Sequence, residues 1–169
     1  MRDSFYLSTI CYLINDRRVL MINFKEKWDK RYCAPGGKVQ FGETPKECII
    51  REFKEETGLK LIDPFLRGIV QWIDDDRHLN GLIFIYQSTK FEGNPITQTK
   101  EGILRWVPID EISKLDLFPI NKKFINLIFD TSNFFEGKFY IDQKTNVKSF
   151  ELYEIPGIEN SKDTQCLID

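Results

Sequence analysis

The chain has 169 residues, of which 41% are hydrophobic, 14% aromatic and 30% charged, with a formal net charge of −2. That length suits one hydrophobic core, expected as a single domain over residues 1–155 followed by a flexible tail at 156–169. The weak negative charge argues against a nucleic-acid polymer as partner, because counterion release needs a concentrated basic face, but a small anion needs only a local basic cluster. Four cysteines, Cys11, Cys33, Cys48 and Cys166, lack the spacing of a zinc set and read as packing residues in a reduced compartment. The first residues lack the apolar core of a signal peptide, and no run reaches the ~18 apolar residues of a membrane span. A cytoplasmic protein with no membrane partner, monomer or homodimer, is expected.

Residues 5–14 and 18–22 are rich in aromatic and β-branched types and flank Asn15-Asp16, which predicts a β-hairpin. Residues 25–32 are polar, broken by Trp28, and lead into Pro35-Gly36-Gly37, a sharp change of backbone. A helix is predicted over 44–57: Thr44 caps, Pro45 suits the first turn, Glu47 completes a capping box and Gly58 ends it. Residues 61–73 and 79–91 read as two long antiparallel strands separated by Asp74-Asp75-Asp76-Arg77. A strand at 103–107, a helical turn near 110–115 and a helix at 121–129 follow, then a hairpin of 135–141 with 147–153. Mixed strands with a few helices indicate an α+β fold, a sheet sandwiched by helices.

From Gly37 the sequence reads GKVQFGETPKECIIREFKEETGL, a pattern of fixed residues at Gly37, Glu43, Arg51, Glu52, Glu55, Glu56 and Gly58 with bulky apolar Phe53 and Leu59. At ordinary residue frequencies such a match arises by chance about once in ~10⁸ starts. Glu52, Glu55 and Glu56 stand at i, i+3 and i+4, so three carboxylates share one helical face while Ile49 and Phe53 mark another. Clustered carboxylates repel unless a cation collects them, and hard oxygen ligands suit Mg²⁺ or Mn²⁺. Such a cation would bridge phosphate oxygens and lower the pKa of an attacking water. Arg51 can pair with Glu43 or Glu55 and hold the cluster in shape, and Gly36 and Gly37 let the backbone pass close to the ion. The plainer reading of the same helix is a solvated, charge-laced face, which is kept for Glu47 and Lys54.

The pattern is the Nudix box, and the chain resembles the Nudix hydrolases. The resemblance implies an α-β-α sandwich with a mixed sheet and a catalytic strand-loop-helix. It also implies a metal site made by Glu52 and Glu56, with Glu55 and the Gly37 carbonyl contributing. Past the box, Glu101 sits where MutT-like nucleoside triphosphate hydrolases carry a further acidic residue, a candidate metal ligand or water-activating base. The stretch from Phe134 to Ile155 resembles the closing hairpin of the oxidised-purine nucleoside triphosphatases. Phe118-Pro119-Ile120-Asn121 resembles the MutT segment whose asparagine reads the purine edge: the amide can donate and accept, and the aromatic neighbour can stack on the base. The chain departs from the mammalian members, which have an Asp pair in this segment and an asparagine in the loop before the box, where this chain carries Cys33.

Among the basic residues near the box (Lys25, Lys27, Lys30, Arg31 and Lys38), Arg31 and Lys38 are candidates for a triphosphate, against a default of solvated loop charges. His78 reads as a surface residue, and Trp28, Trp72 and Trp106 as core or pocket wall. The resemblance implies a pyrophosphohydrolase of (oxidised) purine nucleoside triphosphates such as 8-oxo-dGTP, giving the monophosphate and pyrophosphate. Alternatives are a Nudix hydrolase acting on ADP-ribose, a dinucleotide polyphosphate or an RNA 5′ end, and a non-catalytic nucleotide sensor. A sensor would be expected to lose box acids, and none is missing.

Overall fold

The computed structural model describes residues 4–25 and 30–156; Lys27, Trp28, Cys166 and residues 157–169 of the expected tail lie outside them. In chain order the strands are β1 (Ser4–Asn15), β2 (Arg18–Phe24), β3 (Tyr32–Cys33) and β4 (Gly36–Lys38), followed by helix α1 (Pro45–Thr57). Then come β5 (Lys60–Ile62), β6 (Phe65–Asp74), β7 (Leu79–Ser88), β8 (Lys90–Glu92), β9 (Gly102–Pro108) and a 3₁₀ turn at Ile109–Lys114. Helix α2 (Pro119–Asp130) and the hairpin β10 (Phe134–Ile141) and β11 (Val147–Ile155) complete the fold.

Nine strands form one mixed sheet in the order β11-β10-β6-β7-β1-β2-β3, with β4 joined to β1 and β9 to β2. β1 runs parallel to β7 and β10 parallel to β6, while the remaining pairs of this sheet are antiparallel. The expected first hairpin is present: Asp16 and Arg17 both take positive φ, the two-residue geometry that matches strand twist.

Both faces of the sheet are covered, because successive residues of a strand point to opposite sides. On β1, Cys11 and Leu13 join Ile49 and Phe53 of α1 in one core, while Tyr12 between them joins Phe124, Ile125 and Ile128 of α2 in the other. The second core continues into Val70, Ile85, Phe135 and Phe139 of the central strands. Phe124 is fully buried and stacks on Phe135 with ring centroids 5.4 Å apart. Truncating so enclosed a phenylalanine costs about 3–5 kcal/mol. This is the α-β-α arrangement expected, and no helix among the described residues is long and apolar enough to cross a membrane.

The structure corrects three readings of the sequence. The stretch 61–73 is two strands, because Asp63 turns into the left-handed region before Pro64, which has no N–H for a ladder. The stretch 79–91 also divides, at Thr89: Ser88 Oγ donates to the Ile62 and Lys90 carbonyls, and β8 turns away to pair with β5 in a separate two-stranded sheet. Helix α2 begins at Pro119 rather than 121, so Phe118 is its cap and Asn121 lies inside its first turn. In β6 the register against β7 shifts between Leu66 and Gly68, leaving Arg67 as an extra residue whose side chain is buried.

Candidate active site

Helix α1 starts and stops where its ends are satisfied. Thr44 Oγ1 accepts the Glu47 N–H at 3.2 Å and Glu47 returns a carboxylate to the Thr44 N–H at 2.8 Å; Gly58, at φ 77°, closes the last turn onto the Lys54 carbonyl. Cys48, Ile49, Phe53 and Thr57 face the sheet. With that face buried, Glu52 and Glu56 are turned toward the loop that carries β4, while Glu55 is exposed and near Arg51.

Two glycines make the close approach possible. A Cβ on Gly36 would enter the Thr9 carbonyl and Ile10 Cα of β1, so β4 can lie flat on β1 only without one. A Cβ on Gly37 would fall inside the Glu52 carboxylate, 2.6 Å from Oε1. The Gly36 N–H donates to Glu56 at 2.9 Å, tying the loop to the helix. Burial pushes Glu56 up to about 8, and the negative charges of Glu101, Glu52 and Glu55 push the same way against the Gly36 hydrogen bond.

Arg51 holds the cluster from its other side. Its Nε and Nη2 donate to the two oxygens of Glu43 at 3.1 and 2.6 Å, its Nη1 donates to Glu52 at 2.7 Å, and Glu55 stands 3.7 Å away. The sequence left its partner open between Glu43 and Glu55; the structure supplies both and adds Glu52. The Arg51 hydrogen bonds, helped by the Gln40 N–H, hold Glu43 down at about 2. Among the described residues no three acidic, histidine or cysteine side chains yet close around one point. Arg51 draws Glu52 and Glu55 toward itself.

Glu101 is exposed in the loop before β9, its N–H held by Thr99 Oγ1 and its carbonyl by the Lys25 N–H. Its charge is felt by both Glu56 and Cys33.

On the other side of β1 lies a second group. Asn121 is buried, and its Nδ2 lies 3.4 Å from the Tyr12 hydroxyl and 3.3 Å from Cys33 Sγ. Burial pushes the Cys33 thiol up to about 12, with Glu56 and Glu101 adding to the rise. Cys33 therefore stands between the carboxylates and the amide. Phe118 meets the edge of Phe24 and lies under the Arg31 guanidinium, 5.8 Å from its centroid, and Arg31 donates to Thr145 in the terminal hairpin at 3.2 Å. Lys38 is not brought to the carboxylates. Its cross-strand partner is Ser8 and its amine lies over Tyr6, on the side of β1 opposite Thr9 and Cys11, while only its carbonyl meets Arg51. His78, at φ 51°, sits in the turn between β6 and β7, away from both groups.

Sequence reasoning did not single out Tyr12, Thr145 or Arg67. Nothing local marks them, since each acquires its role from a partner 60 or more residues away. Cys33 was noticed only for standing where relatives carry an asparagine, and the structure gives that position its meaning by setting it against Asn121.

A carboxylate-bearing helix seated against a glycine loop, on a sheet covered on both faces, defines a hydrolase that acts on phosphoanhydrides. The NUDIX domain profile matches residues 5–128, and the chain belongs to the Nudix hydrolase family, on its MutT-like side. It is similar to the uncharacterized Nudix hydrolase YvcI of Bacillus subtilis, at 28% identity over 148 residues, 85% of this chain and 92% of that one. It is also similar to the oxidized purine nucleoside triphosphate hydrolase of Mus musculus, at 26% identity over 152 residues, 88% of this chain and 95% of that one. Among solved structures, the MutT protein of Bacillus halodurans superposes with a TM-score of 0.82 and 27% identity, covering 87% of this chain and 97% of that one. Nudix hydrolases generally use a divalent metal and bind small nucleotide substrates.

Proposed function

We propose that this Nudix hydrolase is a pyrophosphohydrolase of (oxidised) purine nucleoside triphosphates such as 8-oxo-dGTP, releasing the monophosphate and pyrophosphate. The observation that carries the reading is the position of Cys33. It adjoins the buried Asn121 amide and feels the charge of Glu56 and Glu101, so a donor-acceptor side chain lies on one side of it and the carboxylates act on it from the other. A nucleotide has this bipartite chemistry, a donor-acceptor edge at one end and an anionic chain at the other. The likeness to the mouse enzyme over most of both chains supports the same substrate class.

The residues fit a hard divalent cation, Mg²⁺ or Mn²⁺. All the donors are oxygens: the Glu52, Glu55, Glu56 and Glu101 carboxylates and the Gly37 carbonyl. The Glu52 carboxylate occupies the space that a Cβ on Gly37 would fill, and burial, with the neighbouring carboxylates adding to it, raises Glu56. When bound, the ion would neutralise phosphate charge and acidify a water. Arg51 keeps the carboxylates oriented through its fork on Glu43, and the Gly36 N–H fixes Glu56. Glu101 would complete the ligand set or accept the proton of the attacking water as the phosphoanhydride bond breaks. Asn121 and Phe118 meet the base, and Arg31, held by Thr145, meets the phosphates. Lys38 has no part, since its amine faces away from the carboxylates.

The test is a panel of purine and pyrimidine triphosphates, their 8-oxo forms, ADP-ribose and dinucleotide polyphosphates, each incubated with the protein and Mg²⁺, with products identified by mass. The reading expects fastest turnover of a purine triphosphate to monophosphate plus pyrophosphate. Turnover of ADP-ribose or a dinucleotide alone would overturn the substrate and leave the family standing.

A further inference from the structure

Arg67 is an extra residue on the β6 bulge, and the bulge turns its side chain inward instead of leaving it in the alternation of the strand. It is 4% exposed. Its Nη2 donates to the carbonyls of Leu127 and Thr131, each at 2.7 Å, which are the end of α2 and the residue that caps it. Its Nε is buried with no hydrogen-bond partner, and among the described residues it forms no ion pair. Burial lowers its pKa, as expected for a cation taken out of water.

As a way to fill a core this is expensive, since an apolar side chain would avoid both the desolvated charge and the orphaned N–H. The arrangement provides definition. Apolar ridges let a helix slide or rotate slightly at small cost, whereas a guanidinium bridging two carbonyls at the negative end of the helix fixes its axial position and its rotation together. Asn121 stands in the first turn of the same helix, roughly 9 Å away along a rod rising about 1.5 Å per residue. Its contact with the Tyr12 hydroxyl, at 3.4 Å, is at the outer limit of hydrogen-bonding distance, while that with Cys33 Sγ, at 3.3 Å, is within the ordinary reach of sulfur. A shift of under an ångström at the far end would break the first and lengthen the second.

We propose that Arg67 is a positioning residue for the substrate pocket: it locks the carboxyl-terminal end of α2 to β6 and thereby sets where the other end presents Asn121 beside Cys33. The consequence for specificity rests on the proposed nucleotide reading; the placement of α2 does not.

The experiment therefore has two arms, run on the full chain with Arg67→Met, which keeps length and removes donors and charge, and Arg67→Lys, which keeps the charge without the fork. In the first arm, iodoacetamide labelling of each cysteine is followed peptide by peptide by mass spectrometry, without substrate. Labelling of Cys33 should quicken about 10- to 100-fold in Arg67→Met, the range for loss of a charge-assisted contact, while Cys11 and Cys48 stay as protected as in the wild type. Arg67→Lys should fall between the two proteins, and it carries the test alone if Arg67→Met does not fold. Unchanged Cys33 labelling overturns the proposal, and so does equal acceleration at Cys11 and Cys48, because Arg67 would then stabilise the whole fold and not one helix.

In the second arm, KM for the preferred nucleotide should rise and discrimination between bases fall, with kcat and its Mg²⁺ dependence near those of the wild type. A loss of kcat with KM unchanged counts against positioning of the pocket. If the wild type hydrolyses no nucleoside triphosphate, the substrate reading fails while the labelling arm still decides the role of Arg67.

Discussion

The Asn121 amide lies 3.3 Å from the Cys33 sulfur across 88 residues of chain, which joins the first turn of α2 to the strand that leads into the Nudix box. Tyr12, fully buried, holds the same nitrogen at 3.4 Å, which leaves the amide oxygen as the group offered outward. Asn121→Ala should therefore reduce kcat/KM for the preferred purine triphosphate by about 5- to 150-fold, the worth of one lost hydrogen bond of roughly 1–3 kcal/mol. A poor substrate that never used the amide should change little. Phe118→Ala should weaken all purines alike, because stacking reads no donor or acceptor positions. Steady-state kinetics on three or four nucleotides checks both; an equal loss for every nucleotide in Asn121→Ala would remove the amide from base reading.

Glu52→Gln and Glu56→Gln should each lower kcat by at least ~10²-fold, since a carboxylate ligand both holds the ion and concentrates the charge that activates water. Circular dichroism should show the fold intact. Glu101→Gln should slow turnover more than it weakens substrate binding if Glu101 acts in the transition state. An unchanged kcat and unchanged metal dependence would return Glu101 to an exposed loop residue.

Gly37→Ala tests the cradle directly. The new methyl group would displace the Glu52 carboxylate while leaving β4 paired to β1. Mn²⁺ affinity measured by calorimetry should fall at least about tenfold with Tm little changed, because a ligand misplaced by an ångström is as good as lost. Wild-type affinity in this variant would show that the backbone at 37 stands outside the site.

Glu43 links the box loop to Arg51, and its carboxyl is held at about 2 against an ordinary 4.5. A depressed folded-state pKa stabilises the protein above the unfolded value, and that contribution is lost as the pH falls from about 4.5 toward 2. Glu43→Gln should therefore lower the urea midpoint by a constant amount above about pH 5.5, and the deficit should shrink as the pH falls below that. Urea titrations at several pH values read this out. A deficit of the same size at pH 6 and pH 3 would mean that the Arg51 fork contributes no charge-dependent stability.

Helix α1 was legible residue by residue, because every signal it carries is local: Thr44 with Glu47, Pro45, Gly58 and the spacing of the glutamates. The order of the elements was legible for the same reason. What failed was whatever depended on distant partners. Nothing near Asp63 announces that β5 will leave its neighbour for β8, although Pro64 could have signalled the break. Lys38 is far from Ser8 in sequence and no local pattern links them, yet their cross-strand pairing decides which side of the sheet the Lys38 amine faces. Arg67 reads as an ordinary strand residue until the register slip against β7 is seen.

The parallel pairing of β1 with β7 has a consequence for how the protein is made. Residues 4–13 form the centre of the sheet, yet their partners are residues 79–88. As the chain leaves the ribosome, β1 must wait with its apolar surface uncovered until β7 has been synthesised, and the ordering of so long an intervening loop precedes the contacts that reward it. Synthesis at about 5–20 residues per second leaves the edge that β7 will take unpaired for several seconds. The earlier-made strands cover it only in part, β2 at its far end, Ile14 and Asn15, and β4 at Ser8, Thr9 and Ile10. The segment from Phe5 to Leu13 is thus the stretch of this enzyme most open to a chaperone, or to a neighbouring nascent chain, before its own fold can claim it.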